Sequence, residues 1–364
     1  MNDVTKLFFD LIKVSLGNKD TIEPLPSEKE WQMLYELTNK QSLTSVLLEG
    51  VNKVKNHNPN IKIGQNLVLE WIGAGLQTEN QNKVQNEKAK QLYEIFKKAG
   101  YRSCVLKGQG TAQYYEHPER RQCGDIDIWV EGDRDKILDF VRKRGCHIGH
   151  VDIKHSDIDF FEDVPVEVHF LPSWMYCPST NKKLQKFFQD KAEKQFSSVD
   201  ENLGFAHTTI DFDLVYSIVH IYRHIFSEGI GLRQLVDYYY ILRSVKSEEL
   251  RVKSYEVLCS LKMKSFVGGV MWILCECFGM DEEYALCPLN ERHGKFLLSE
   301  IMIAGNFGHY DTRRHERGNL SKFRYGFIQF KKNLRFVMYY PTEVLWSPFW
   351  KLWHYVWRKW KGYL

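Results

Sequence analysis

The run G-D-I-D-I-W-V at residues 124–130 constrains this chain more than any other segment. Its period of two is that of a strand, in which positions i and i+2 point to the same side. Asp125 and Asp127 then project from one face, while Ile126, Ile128 and Val130 form an apolar footing on the other. Two carboxylates share a face at low cost only when a cation or a proton stands between them. At neutral pH a hard cation with a preference for oxygen, such as Mg²⁺, fits that need.

The flanking segments supply the rest of a site. Upstream, R-S-C-V-L-K-G-Q-G (102–110) has the form of a short strand leaving through a glycine turn, with Lys107, Gly108 and Gly110 at the exit. Glycine permits positive φ and close backbone approach, and a helix starting there would aim free N–H groups at an anion. Downstream, P-V-E-V-H-F (165–170) alternates strictly, with Val164, Val166, Val168 and Phe170 on one side and Glu167 and His169 on the other. The preceding I-D-F-F-E-D-V-P-V is expected to supply a partner strand, with a turn near Glu162 and Asp163. Glu167 can then stand beside Asp125 and Asp127 and face the same way. A second D-x-D, Asp157 and Asp159, lacks the glycine and the lysine turn, so it reads as the solvent side of the first hairpin strand.

Taken in order, L-K-G, then Y-x5-R ending at Arg121, then G-D-I-D-I-W-V, then E-V-H-F resembles the uncharacterised nucleotidyltransferase family of the polymerase-β-like superfamily. The resemblance is strong over about residues 100–175 and weaker through H-I-Y-R-H-I-F and G-L-R-Q-L-V-D-Y (220–238). Better-known members of the superfamily carry Gly-Ser about ten residues before the acidic pair. Here Lys107-Gly108-Gln109 takes that place at a longer spacing.

The resemblance implies an α+β fold in which a small mixed sheet is flanked by helical regions. It also implies metal-dependent transfer of a nucleoside monophosphate from an NTP donor, with pyrophosphate released. Asp125 and Asp127 would bridge two ions, Mg²⁺ or Mn²⁺, and Glu167 would complete the ion on the nucleophile side. Lys107, Gly108, Gln109, Arg121 and Gly124 are the expected phosphate and nucleotide contacts, ATP being one candidate among the four triphosphates. His169, His220, His224, Arg233 and Asp237 are candidate pocket or supporting residues. His169 can equally be a satisfied structural histidine, and Arg121 can be structural. His220 and His224 have zinc-like spacing, but no third ligand of the H-E-x-x-H kind accompanies them. Arg233 and Asp237, at i and i+4, read either as an intrahelical pair or as a buried bridge between regions. The acceptor, whether small molecule, protein or RNA, is open. The alternative is a fold relative that binds nucleotide, or adapts to a membrane, without turnover.

Composition bears on the remaining classes. Hydrophobic residues make up 43% of the 364, enough for sizeable cores, and a net charge of +4 without a basic stripe argues against duplex DNA as partner. The eight cysteines form no C-x-x-C pair, no secretory pattern opens the chain and no apolar run approaches membrane-spanning length, so a cytoplasmic enzyme with reduced thiols is expected. Three regions are expected: helices over 1–84, a catalytic core over 85–175 and a helical domain over 176–364. Ser27 and Glu30 predict a capping box, a long helix is expected over 65–99, one helix falls near 133–144, and further helices are expected over 211–227, 233–244, 262–279 and about 319–336. Trp346, Trp350, Trp353, Trp357 and Trp360 recur at 4, 3, 4 and 3, one stripe on a helix. Ser347-Pro348 is its expected start. The stripe is expected to close over the protein's own helical domain or a partner subunit, with a peripheral membrane contact through 346–360 as the rival.

Overall fold

A computed structural model describes residues 3–313 and 322–363. Four helices come first: α1 (Asp3–Ser15), α2 (Glu28–Gln41), α3 (Thr44–His57) and α4 (Gln65–Lys98). The Ser27 hydroxyl accepts from the Glu30 N–H, and the Glu30 carboxylate accepts from the Ser27 N–H at 2.8 Å, so the expected capping box starts α2. α4 buries a residue every three or four positions along its length. Its ends are apolar, with Leu67 and Trp71 at one and Leu92 and Phe96 at the other. Its middle buries Thr78, Asn82 and Gln85 instead. Phe96 meets Tyr101, Phe140 and Phe160, which seats the second half of α4 beside the sheet.

The sheet follows. β1 (Ser103–Val105) leads through a one-turn helix α5 (Gln109–Ala112) to β2 (Ile126–Val130). Then come α6 (Arg134–Lys143), β3 (Ile148–Val151), β4 (His155–Ile158) and β5 (Val166–His169). The strand order is β1-β2-β5-β4-β3, with only β2 and β5 parallel. A small mixed sheet flanked by helices is therefore what the chain forms. β4 does pair with β5, but it lies a few residues earlier than expected. Phe160 leaves the ladder to pack on Phe96, and Lys88 lies over Phe161, so 159–165 becomes the connection. The β3–β4 hairpin was not anticipated; I-G-H-V is short and mostly exposed.

The remaining helices are α7 (Pro178–Ser197), α8 (Ile210–Ser227), α9 (Leu232–Ser244), α10 (Glu248–Ser260), α11 (Lys264–Trp272), α12 (Glu291–Ala304), α13 (Lys322–Asn333) and α14 (Pro341–Lys361). The expected helix over 262–279 is α11 running into a π-helical turn, Ile273–Cys277. Of the helix expected over 319–336, residues 319–321 lie outside the described residues. α14 starts at Pro341, not at Ser347, with Pro348 inside it. One apolar cluster runs from Leu7 to Val344 and joins all three regions, and α4 itself crosses residues 84 and 85.

Candidate active site

Register brings the acids together. Asp127 is paired directly with Glu167 across the parallel β2–β5 ladder, so both side chains rise from one face. Asp125 precedes β2 by one residue and faces the same way. Their carboxylate oxygens lie within 4.8 Å of one another. Ile126, Ile128, Val166 and Val168 are buried on the opposite side, which is the apolar footing the alternation requires.

Countercharge is supplied from two directions. Lys107 Nζ stands 3.0 Å from Asp127 Oδ2, and His169 Nε2 stands 2.9 Å from Asp127 Oδ1 and 3.2 Å from Glu167 Oε2. β4 adds a residue that sequence reading missed: His155 Nδ1 lies 2.8 Å from Glu167 Oε2. His155 is the cross-strand partner of His169, so it shares the acids' face. The alternation of H-S-D-I carried that signal, had the strand been placed correctly.

The environment separates the acids. Burial and then the neighbouring Asp127 charge push the Asp125 carboxyl up. Burial acts on Asp127 too, but Lys107 and the His169 hydrogen bond outweigh it and hold Asp127 low. Glu167 is also held low against burial, by hydrogen bonds with His155 and His169. Burial opposes charge on His169, yet its bonds to Asp127 and Glu167 raise it to about 9. Lys107 is raised in the same way by Asp127 and Asp125. On α8, burial and Lys107 keep His220 neutral; its Nε2 lies 3.5 Å from Lys107 Nζ.

The turn after β1 has the conformation its glycine predicts, with φ +63° at Gly108. At Gly110 an added Cβ would come within 2.8 Å of the His207 side chain, so close approach also requires glycine there. The helix that follows is a single turn, too short to act as a dipole on an anion. Gln109 points away from the cleft and donates to Asn86 Oδ1 at 2.7 Å and Asn82 Oδ1 at 3.2 Å on α4. Asn82 donates in turn to the carbonyls of Glu119 and Arg121, and Gln85 donates to the carbonyl of Gly124. The buried polar middle of α4 therefore holds the loop that leads into the acids.

Arg121 is bidentate to Asp237 on α9, at 2.7 and 2.8 Å, and Tyr115 donates to the same carboxylate at 2.6 Å. The Arg233–Asp237 intrahelical pair is thus replaced by a bridge from the loop before β2 to α9. Arg233 instead donates through Nη1 to the Gln122 carbonyl at 2.6 Å, and its buried Nε has no hydrogen-bond partner among the described residues. His224 Nδ1 lies 3.1 Å from Glu228 Oε2.

Two cavities meet at the acids. The smaller, about 570 Å³, is lined by Lys107, Gly108, Arg121, Gly124, His220, Arg233 and Asp237. The larger, about 1210 Å³, takes in Glu167, His155, His169, His224, Trp174, Tyr176 and Trp350. Lys107, Asp125 and Asp127 line both.

The acid set fits a divalent cation. Beyond its ion pair with Lys107, buried Asp127 Oδ2 makes no hydrogen bond among the described residues, three carboxylates converge, and hard oxygen donors suit Mg²⁺ or Mn²⁺. Among the described residues, His155, Glu167 and His169 form a second group of the right spacing, and it shares Glu167 with the first.

The sequence profile of the uncharacterised nucleotidyltransferase family matches residues 27–279, which includes the whole sheet and α8 and α9. No curated protein sequence matches the chain.

Proposed function

The chain belongs to the uncharacterised nucleotidyltransferase family, and from that premise we propose that it moves a nucleoside monophosphate from an NTP to an acceptor oxygen. The observation that carries this reading is that Asp125 and Asp127 line two adjoining cavities, so that a donor in one and an acceptor in the other can reach the same acids.

The triphosphate enters the smaller cavity. Lys107 and Arg233 line it, and Arg233 keeps a buried N–H, without a partner among the described residues, that a phosphate oxygen would satisfy. Asp125, Asp127 and Glu167 would hold Mg²⁺ or Mn²⁺, which would supply Lewis-acid stabilisation of phosphoryl oxygens. The acceptor comes from the Glu167 side. Its oxygen forms a bond to the α-phosphorus, the bond from that phosphorus to the α–β bridging oxygen breaks, and pyrophosphate leaves with the electron pair. The acceptor's proton passes to Glu167. Lys107 offsets the charge that builds on the leaving group. Retention of all three acids and Lys107 favours this enzyme over a relative that only binds.

Calorimetric titration with the four triphosphates, each with Mg²⁺ or Mn²⁺, tests the reading. Wild type is expected to bind one or more only with metal, and Asp125→Asn and Asp127→Asn are expected to abolish that binding. Equal binding by wild type and both variants would refute it.

A further inference from the structure

Among the described residues, the tryptophan helix α14 is pinned along one side and uncovered along the other. Glu343, fully buried, accepts from Arg223 at 3.0 Å and from the Tyr176 N–H at 2.8 Å. Trp350 packs on Tyr176, and Arg134 lies over Trp357. Near the carboxy-terminal end, Lys361 reaches Asp135 at 2.9 Å. The expectation that the stripe closes over the protein is therefore half correct. Trp350 turns onto Tyr176 and Trp357 onto Arg134 of α6, Trp353 stacks on Trp174 while still half exposed, and Trp346 and Trp360 face outward.

The outward face is strongly apolar. Phe349 is 67% exposed, Leu352 66%, Val356 56% and Trp360 79%, with Leu345 and Trp346 also exposed. At roughly 100° per residue these side chains occupy one continuous arc of about 120°. Scattered exposed hydrophobics are ordinary; a contiguous set on an anchored helix marks a surface that meets something. Lys359 adjoins the Leu352 edge of the arc, Lys351 and Arg358 lie further round that side, Lys361 lies beyond the Trp346 edge, and no acidic residue occurs after Glu343. The family match ends at residue 279, so none of this is part of the shared core.

We propose that α14 docks the protein on an anionic lipid surface, with the arc from Leu352 to Trp346 lying in the interface and the lysines among the headgroups. A basic helix with tryptophan and leucine on the other face is the kind that lies in the plane of the interface. Among the described residues no helix is long and apolar enough to cross a membrane, so contact of this kind is peripheral. Charge decides between the occupants. A second copy would bring the same basic flanks face to face, whereas anionic headgroups complement them. The docking helix is also a wall of the acid cleft, because Trp350 and His354 line it.

The test is flotation of the full chain, without nucleotide, on vesicles of equal parts phosphatidylcholine and phosphatidylglycerol, compared with phosphatidylcholine alone. Because no turnover is read, the result is separate from the transfer reaction. Wild type is expected to float with the anionic vesicles and to lose most of that binding at high salt or on neutral vesicles. Leu352→Glu/Val356→Glu is expected to reduce the bound fraction by roughly tenfold or more, with unchanged thermal unfolding because both side chains point to solvent. Lys351→Gln/Lys359→Gln leaves the apolar arc intact and is expected to lose the salt-sensitive share. Wild type remaining with the unbound fraction would overturn the proposal, as would equal recovery of wild type and both variants. So would a wild-type dimer that the glutamate variant makes monomeric while neither binds vesicles.

Discussion

Removing Asp237 should cost far more stability than a surface ion pair, and the structure says how much. Arg121 and Asp237 are both buried and joined by two short hydrogen bonds. Asp237→Leu would leave the Arg121 guanidinium without its countercharge in a dry setting, a loss of roughly 3–5 kcal/mol. The Tyr115 hydroxyl would lose its acceptor as well, adding about 1–3 kcal/mol. With an unfolding entropy of about 2.1 cal/mol/K per residue, a chain of 364 residues loses roughly 1 °C of Tm for each 0.8 kcal/mol. A fall of about 5–10 °C is expected if the chain unfolds in one step. The decisive measurement is a double-mutant cycle by calorimetry or thermal denaturation. Arg121→Met alone strands Asp237 and should be as harmful, but Arg121→Met/Asp237→Leu with Tyr115→Phe replaces the whole cluster by apolar groups and should recover most of the loss. The recovered protein also tells whether Arg121 touches phosphate: retained metal-dependent NTP binding makes the residue purely a bridge. A Tm change below about 1 °C for Asp237→Leu, or additive losses in the combined variant, would refute the reasoning.

Other consequences are as concrete. His155→Ala should lower Mn²⁺ affinity by calorimetry on the order of 10–100-fold, since it orients Glu167 from 2.8 Å; unchanged affinity would remove His155 from the site. Burial raises the Asp213 carboxyl to about 7, although the Tyr114 hydroxyl donates to it at 2.9 Å. A raised carboxyl favours folding below its unfolded value near 4, and that contribution is lost as pH rises to about 7. Asp213→Asn should therefore gain on wild type by a few kcal/mol between pH 4 and pH 8, read as a Tm difference that grows with pH; a flat difference would contradict the assignment. Glu343→Ala strands Arg223 and two backbone N–H groups at the root of α14. Hydrogen exchange should then speed up across 341–361 but not in β2; unchanged protection would mean that the aromatic contacts alone hold the helix.

What the sequence revealed and what it hid have a physical division. The acid strand, β5 and the α2 capping box are local patterns: each is written within eight residues, by a period of two or by a pair three apart. Pairing of β2 with β5 followed because Glu167 had to reach the same face. The Arg121–Asp237 bridge joins residues 116 positions apart and has no local signature. The same is true of Glu343, which serves a loop 167 positions earlier. His155 was hidden by a strand boundary: Phe160 and Phe161 look like strand residues, but they are taken by α4 and end the ladder early. The glutamine and asparagine content of α4 was visible without its meaning. Those side chains act on backbone carbonyls of a distant loop, and a carbonyl is the same in every residue.

That last point explains how the acids are kept in place. Apolar packing fixes which elements meet but is not directional, and a strand whose register slipped by one residue would carry Asp125 and Asp127 to the wrong face. The directional contacts cluster where such a slip would begin. Asn82 and Gln85 hold the carbonyls of Glu119, Arg121 and Gly124; Arg121 ties the same loop to α9; Arg233 holds Gln122 from the other side. Every one of residues 119, 121, 122 and 124 is thus bonded to a helix outside the sheet, and Asp125 is the next residue. Three repelling carboxylates need that restraint, since their mutual charge would otherwise drive the loop outward. Buried polar groups cost stability relative to apolar ones, so their concentration on six residues ahead of the acids is what a site demands and a fold alone does not.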